Sequence, residues 1–342
     1  MDALLAVSAL HMRTLTPNDG QLVRLFHGYM ASSLAQYTQT LSGGVNEQNA
    51  EALFTTSALI AFQASACRRF TNEQTYGEVA EPYQLPVQWF HSFQGVKTVV
   101  LTSWRWLRMS LHVRPIIAAQ PALSRDTYVR ALEPFSHLLV TVQEQVKDLP
   151  PSEASEIKQA YEHSVAYLNW AHAKPEKPRI LGFPATVSRR FIQLIDEKDP
   201  RALVIIACFF AMTRRVEDAW WLEGVAKKEV LGILSLLDLE WWGVMEWPLL
   251  VVNQEGPVSE ETWHAALRMG GVEEEFLDFG EEDQMAKPPG SPGGNHIDLL
   301  AQIGDAQQIM EVACGRVGGR GMVQSMTLTP QAEEMAMVDL LD

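Results

Sequence analysis

Nine histidines, three cysteines and 42 carboxylates are the groups in this chain that could ligate a metal, attack a carbon or move a proton. Their spacing is unproductive. His163 and His172 stand nine residues apart and share no metal-ligand spacing, and His11, His27, His91, His112 and His137 sit singly in helical runs. A lone imidazole there is more often a boundary or core residue than a ligand. Cys67, Cys208 and Cys314 are too far apart for a CxxC site and too few for a disulfide framework, a usage that suits a reducing compartment. Cys67 and Cys208 lie in apolar runs, the setting of a small buried hydrophobe. Asp278-Phe279-Gly280 matches a kinase tripeptide without the accompanying loops, and Gly315, Gly318, Gly319 and Gly321 follow no strand that would make them a dinucleotide loop. No Gly-x-Ser-x-Gly elbow is present. Catalytic residues, a metal site and a cofactor are therefore not expected. The densest charged group, Arg214, Arg215, Glu217 and Asp218, reads as an ion-pair turn bracing Trp220-Trp221 rather than a clamp for a ligand carboxylate.

The elements that must position these groups are helical. Asp2 to Met12 opens with apolar positions 4, 5, 7 and 10 on one face and no cap before it, as if the chain began inside a domain. Asn18 or Asp19 can cap a helix over 22–40, and Asn46 one over 47–70 whose middle is almost wholly apolar or small. Helical spacing continues over 89–113, ended by Pro115, and over 132–146 and 153–171, split by Pro150-Pro151. Residues 174–178 read as an exposed linker. Helices over 183–197 and 202–216 are divided by Asp199-Pro200, and 222–237 is the last clear one. No strand alternation and no internal repeat occur. The predicted fold class is all-α, a multi-helix bundle-like body of about nine helices over 1–254.

From Glu255 the character changes. Residues 255–342 carry 17 acidic and 4 basic residues, net −13, whereas 1–254 carry 25 acidic and 23 basic, net −2. Neither half offers the clustered Lys and Arg that a phosphate backbone needs. Segments such as 272–283 and 333–342 mix carboxylates with Val, Leu, Met and Phe, the composition of disordered activation segments; a solvated acidic tail is the alternative. No apolar run reaches the length of a membrane span, and no signal peptide is seen, which reads as a soluble intracellular protein.

The most specific pattern lies at 201–251. An apolar run from Ala202 to Met212 leads through Arg214-Arg215 to Trp220-Trp221-Leu222-Glu223-Gly224, then to Trp241-Trp242 and Glu246-Trp247-Pro248. This block resembles the close of the fungal-specific transcription factor domain, the regulatory domain of binuclear zinc-cluster regulators, sterol-sensing ones among them. Residues 2–12 (DALLAVSALHM), 49–65 and 89–117 are similar to three further blocks of that family, in order, so the resemblance spans about 1–252. Three positions depart from it: Gln94 and Trp242 stand where Arg is usual, and Val225 where Trp is. The paired cysteines of a zinc cluster are absent, so direct DNA contact is not expected from these residues. Either such a module lies elsewhere or the protein acts without one.

The resemblance implies a regulator of RNA polymerase II transcription of sterol, lipid or secondary-metabolite genes, acting in nucleus and cytoplasm. The sterol branch of the family implies an apolar ligand held among the helices. Candidate lining residues are Phe54, Ser57, Ile60, Phe90, Trp104, Phe209 and Met212, each of which also suits plain core packing. Trp220, Trp221, Trp241, Trp242 and Trp247 read mostly as core; because neighbours on a helix point apart, one of each adjacent pair should reach the surface or a partner, a homodimer included. The acidic tail would meet a co-activator or the transcription machinery. A stand-alone apolar-ligand-binding or co-regulator protein, and a helical enzyme acting on an apolar metabolite, are the alternatives.

Overall fold

The computed structural model describes residues 1–17, 19–70, 82–118 and 133–269. Asn18, Cys314, the glycine run at 315–321 and the acidic segments beyond 269 lie outside the described residues. Among the described residues there are fourteen α-helices and no strand. They are α1 (Asp2–Leu15), α2 (Gly20–Ser42), α3 (Ala50–Ala66), α4 (Val87–Leu107), α5 (Val113–Ala118), α6 (Val142–Gln145), α7 (Pro151–Ala173), α8 (Lys177–Leu181), α9 (Phe183–Thr186), α10 (Arg189–Asp196), α11 (Pro200–Met212), α12 (Val225–Leu234), α13 (Glu246–Asn253) and α14 (Glu260–Met269). None is long and apolar enough to cross a membrane.

Local chemistry sets many of the boundaries. Asp19 accepts from the Gln21 amide at the head of α2, Ser188 from Phe191 at the head of α10, and Asp199 from Ala202 at the head of α11. Pro151 and Pro200 occupy first-turn positions, where the missing N–H costs nothing.

α11 is the axis of the fold. Every residue from Arg201 to Met212 is buried, as an all-apolar helix must be. α7, α10, α12, α13 and α14, with the start of α4, surround it in the largest core cluster. The outer half of α4 packs with α3 and α5 in a second cluster, and α1, α2 and the end of α3 form a third. Ala3, Ala6 and Ala9 line the buried side of α1 and let α2 approach closely.

Several expected helices are shorter or broken. Residues 133–146 form a 3-10 turn at Ser136–Leu139 and the four-residue α6, not one helix. The cause is Arg201, whose buried guanidinium binds the carbonyls of Leu138 and Val140 and the Thr141 hydroxyl, holding that chain in a non-helical path. Thr141 itself is left-handed, with φ 69°. α4 ends at Leu107, and Pro115 lies inside α5 rather than terminating the helix before it. The expected 183–197 helix splits at Val187-Ser188 into α9 and α10. The third helix starts at Ala50, because Asn46 turns the chain first by accepting from the Gln48 and Asn49 amides. Helical packing also runs past residue 254: Val258, Trp263, Ala265 and Ala266 are buried in the main cluster.

Candidate functional site

The most constrained polar group joins segments far apart in sequence. Val225, Glu229 and Ile233 follow one another at four-residue spacing on the inward stripe of α12, so a carboxylate stands where an apolar residue is due. Glu229 is fully buried. Arg68, in the 3-10 turn Cys67–Phe70 that follows α3, meets it in two parallel bonds, Nε to Oε1 at 2.7 Å and Nη2 to Oε2 at 2.8 Å. Tyr83 Oη donates to Oε2 at 2.7 Å, and Arg68 Nη2 also donates to the Gln84 carbonyl at 2.8 Å. Lys228 Nζ donates to the Arg68 carbonyl. Burial, the largest single influence, opposes the charge on Arg68, but the hydrogen bonds and charges of Glu229 and Tyr83 together outweigh it and hold the guanidinium above its ordinary pKa. Burial and the neighbouring carboxylate push the Tyr83 phenol up as well. The Tyr83 ring lies over Gly232: a Cβ there would fall 2.2 Å from Cδ2.

The next residue, Arg69, clamps the tryptophan corner. It donates to the Trp220 carbonyl and pairs with Glu223 at 2.6 Å. Trp220 sits 5.0 Å from the His11 ring and 5.9 Å from Phe62. Trp221 meets Phe62 at 5.3 Å and Trp89 at 6.1 Å, both edge-on. Both tryptophans are half-buried, so neither is turned out to solvent; the corner instead ties the N-terminal cluster to the main core. The later pair divides between core and surface. Trp241 packs on the main cluster with the Arg201 guanidinium 5.4 Å from its ring, while Trp242 is 48% exposed and Trp247 is buried.

The four charges before the corner do not act as one turn. Arg214 pairs with Glu217, whose other oxygen accepts from the Gly224 amide at 2.7 Å, and Arg214 Nη2 reaches the carbonyls of Gln254 and Gly256. Arg215 binds Glu260 at 2.8 Å and lies 4.5 Å over the Trp263 ring, whereas Asp218 turns to Lys177. Trp263 stacks on His172 at 4.6 Å, and the imidazole Nε2 lies 3.1 Å from the Trp263 carbonyl. Burial holds His172 down to about 4, so it is neutral near pH 7. These contacts bind α14 to the body. Gln94 donates to the carbonyls of Pro184 and Val187 at 3.1 and 3.0 Å, closing the end of α9.

The seven candidate lining residues fall into two places. Phe90, Phe209 and Met212 lie in the main cluster, with Phe90 and Phe209 6.1 Å apart. Phe54 and Trp104 lie in the second cluster, Ser57 is buried on α3 and donates to the Phe54 carbonyl, and Ile60 is half-buried. Residues that the sequence did not mark stand beside the first group: Trp89, 5.9 Å from Phe209 and 5.5 Å from Phe210, and Phe183, stacked on Phe209 at 4.9 Å. The Trp89 indole N–H is buried and has no hydrogen-bond partner among the described residues.

No protein-family model matches the chain, and no solved structure matches it. Curated proteins do. A Zn(2)-C6 fungal-type transcription factor of Gibberella zeae is 41% identical over 309 residues, 88% of this chain and 60% of that protein. The Zn(2)-C6 fungal-type transcription factor afumD of Aspergillus fumigatus is 27% identical over 215 residues, 60% of this chain and 53% of that protein. The chain thus spans somewhat over half the length of the curated relatives it matches.

Proposed function

Since the chain's curated homologues are Zn(2)-C6 fungal-type transcription factors, aligned over most of its length, we propose that it is the ligand-responsive regulatory part of a fungal transcription regulator. It works in the nucleus, and recognition of DNA belongs to residues other than the helical body. The acidic segment after the body carries the contacts to a co-activator or the transcription machinery.

The observation behind the ligand reading is the buried, unpartnered Trp89 indole N–H among Phe90, Phe183 and Phe209. An unmade bond on a buried donor costs about 1–3 kcal/mol. An apolar molecule with one hydroxyl or carbonyl, a sterol for instance, would satisfy that donor and bury its skeleton against the rings. Trp221, edge-on to Trp89 at 6.1 Å, passes any displacement to the corner held by Arg69 and so towards α12. A ligand shifts such an equilibrium only by its difference in affinity for the two packings.

The test is native mass spectrometry and thermal melting of the full chain purified from a sterol-producing fungal host. A retained adduct that raises the melting temperature, and that is lost in Trp89→Phe, is the expected result. Trp89→Phe should leave the ligand-free protein as stable or more so, since it deletes the orphan donor and keeps an aromatic ring. A clean polypeptide mass, with no shift across a sterol and fatty-acid panel, would remove the ligand reading and leave regulation through protein contacts.

A further inference from the structure

We propose that the outer face of α13 is a docking groove for a basic amphipathic helix of a partner protein. Trp242, Glu246, Leu250 and Asn253 run along this face, and Leu249 and Thr262 close its sides, Thr262 from α14. Trp242 is 48% and Leu250 47% exposed, large apolar surface that no described helix covers. The Trp242 indole N–H donates to the Leu237 carbonyl at 3.4 Å, which holds the ring in place before any partner arrives. A groove with an aromatic anchor at one end and a leucine one to two turns on accepts apolar residues repeating at helical spacing.

Charge selects the occupant. From Val230 to Leu267 the sequence holds no lysine or arginine, yet it holds Asp238, Glu240, Glu246, Glu255, Glu260 and Glu261. All six are exposed. Of these, Glu260 is bound to Arg215 and Glu240 accepts from the Trp241 indole, while Glu246 stands inside the groove. A groove with the carboxylate of Glu246 inside it, built from a stretch that carries acids and no Lys or Arg, attracts a segment whose leucine-type residues are flanked by Lys or Arg, and disfavours an acidic one.

The test is a display selection of helical peptides against the full chain, with counter-selection on Trp242→Ala. Enriched peptides should carry apolar residues four apart with Lys or Arg beside them. Their binding, read by fluorescence anisotropy, should weaken at least about tenfold in Trp242→Ala and with added salt. Glu246→Lys, an exposed substitution that leaves the fold intact, should shift preference towards acidic flanks. No enrichment, or peptides that bind Trp242→Ala and Glu246→Lys as well as the parent, would overturn the proposal. So would light scattering that shows a dimer which Trp242→Ala converts to monomer, because a second copy would then be the occupant.

Discussion

Replacing Arg68 with alanine should expose how Glu229 is held. The carboxylate has three bonds, two from Arg68 and one from Tyr83, and Arg68→Ala leaves only the Tyr83 bond in a site with no exposure to water. Breaking one side of a buried ion pair costs about 3–5 kcal/mol. The destabilisation of Arg68→Ala should therefore be about 3–5 kcal/mol. Urea unfolding of the full chain and of Arg68→Ala at pH 7, followed by tryptophan fluorescence, measures the difference. The joint change Arg68→Met with Glu229→Leu should be neutral or stabilising, because no charge is then left buried. A cost below about 1 kcal/mol would refute the reasoning: it would mean that water reaches Glu229 once Arg68 is gone.

Three more outcomes follow from the packing. Gly232→Ala should destabilise, although alanine gains about 1 kcal/mol over glycine in an open helix, because the new methyl meets the Tyr83 ring; in a Tyr83→Ala background the usual gain should return, and equal effects in both backgrounds would contradict the contact. His172, held near 4 when folded, makes the protein lose stability as pH drops from about 6.5 towards 4, by up to about 3 kcal/mol, and a His172→Gln variant should show a flatter profile over that window in the same denaturant titration. Trp263→Ala should cost about 3–5 kcal/mol and free α14, read as new protease cleavage between Gln254 and Glu260; continued resistance there would show that Arg214 and Arg215 hold the segment without the indole.

What could be read in advance was local. The α11 run is apolar on all sides, so its burial followed from composition, and Asp199-Pro200 announced where it starts. The 133–146 segment misled because apolar spacing near 3.6 is also satisfied by 3-10 turns, and the side chain that bends it, Arg201, arrives from some sixty residues downstream. The Arg68–Glu229 pair spans 161 positions, and an Arg-Arg dipeptide looks like surface. One signal was available: Glu229 interrupts the stripe of Val225, Ala226, Val230 and Ile233, and a lone carboxylate on a core-facing stripe demands a buried cation. Among the rings around Phe90 and Phe209, sequence had no means to single out Trp89, because its buried indole N–H without a partner is visible only in the packed structure.

The all-round burial of α11 also has a consequence for biosynthesis. When Met212 has been added to the nascent chain, the residues that will form α12, α13 and α14 have not been made. Translation of residues 213–269 at about 5–20 residues per second takes roughly 3 to 11 seconds. Over that interval a helix meant to touch water on no side has partners only from segments made before it, α4, α7, α9 and α10 among them. Newly made copies are therefore most prone to aggregate, and most dependent on chaperones that hold apolar segments, in the seconds before Trp263 is added and α14 can pack onto the body.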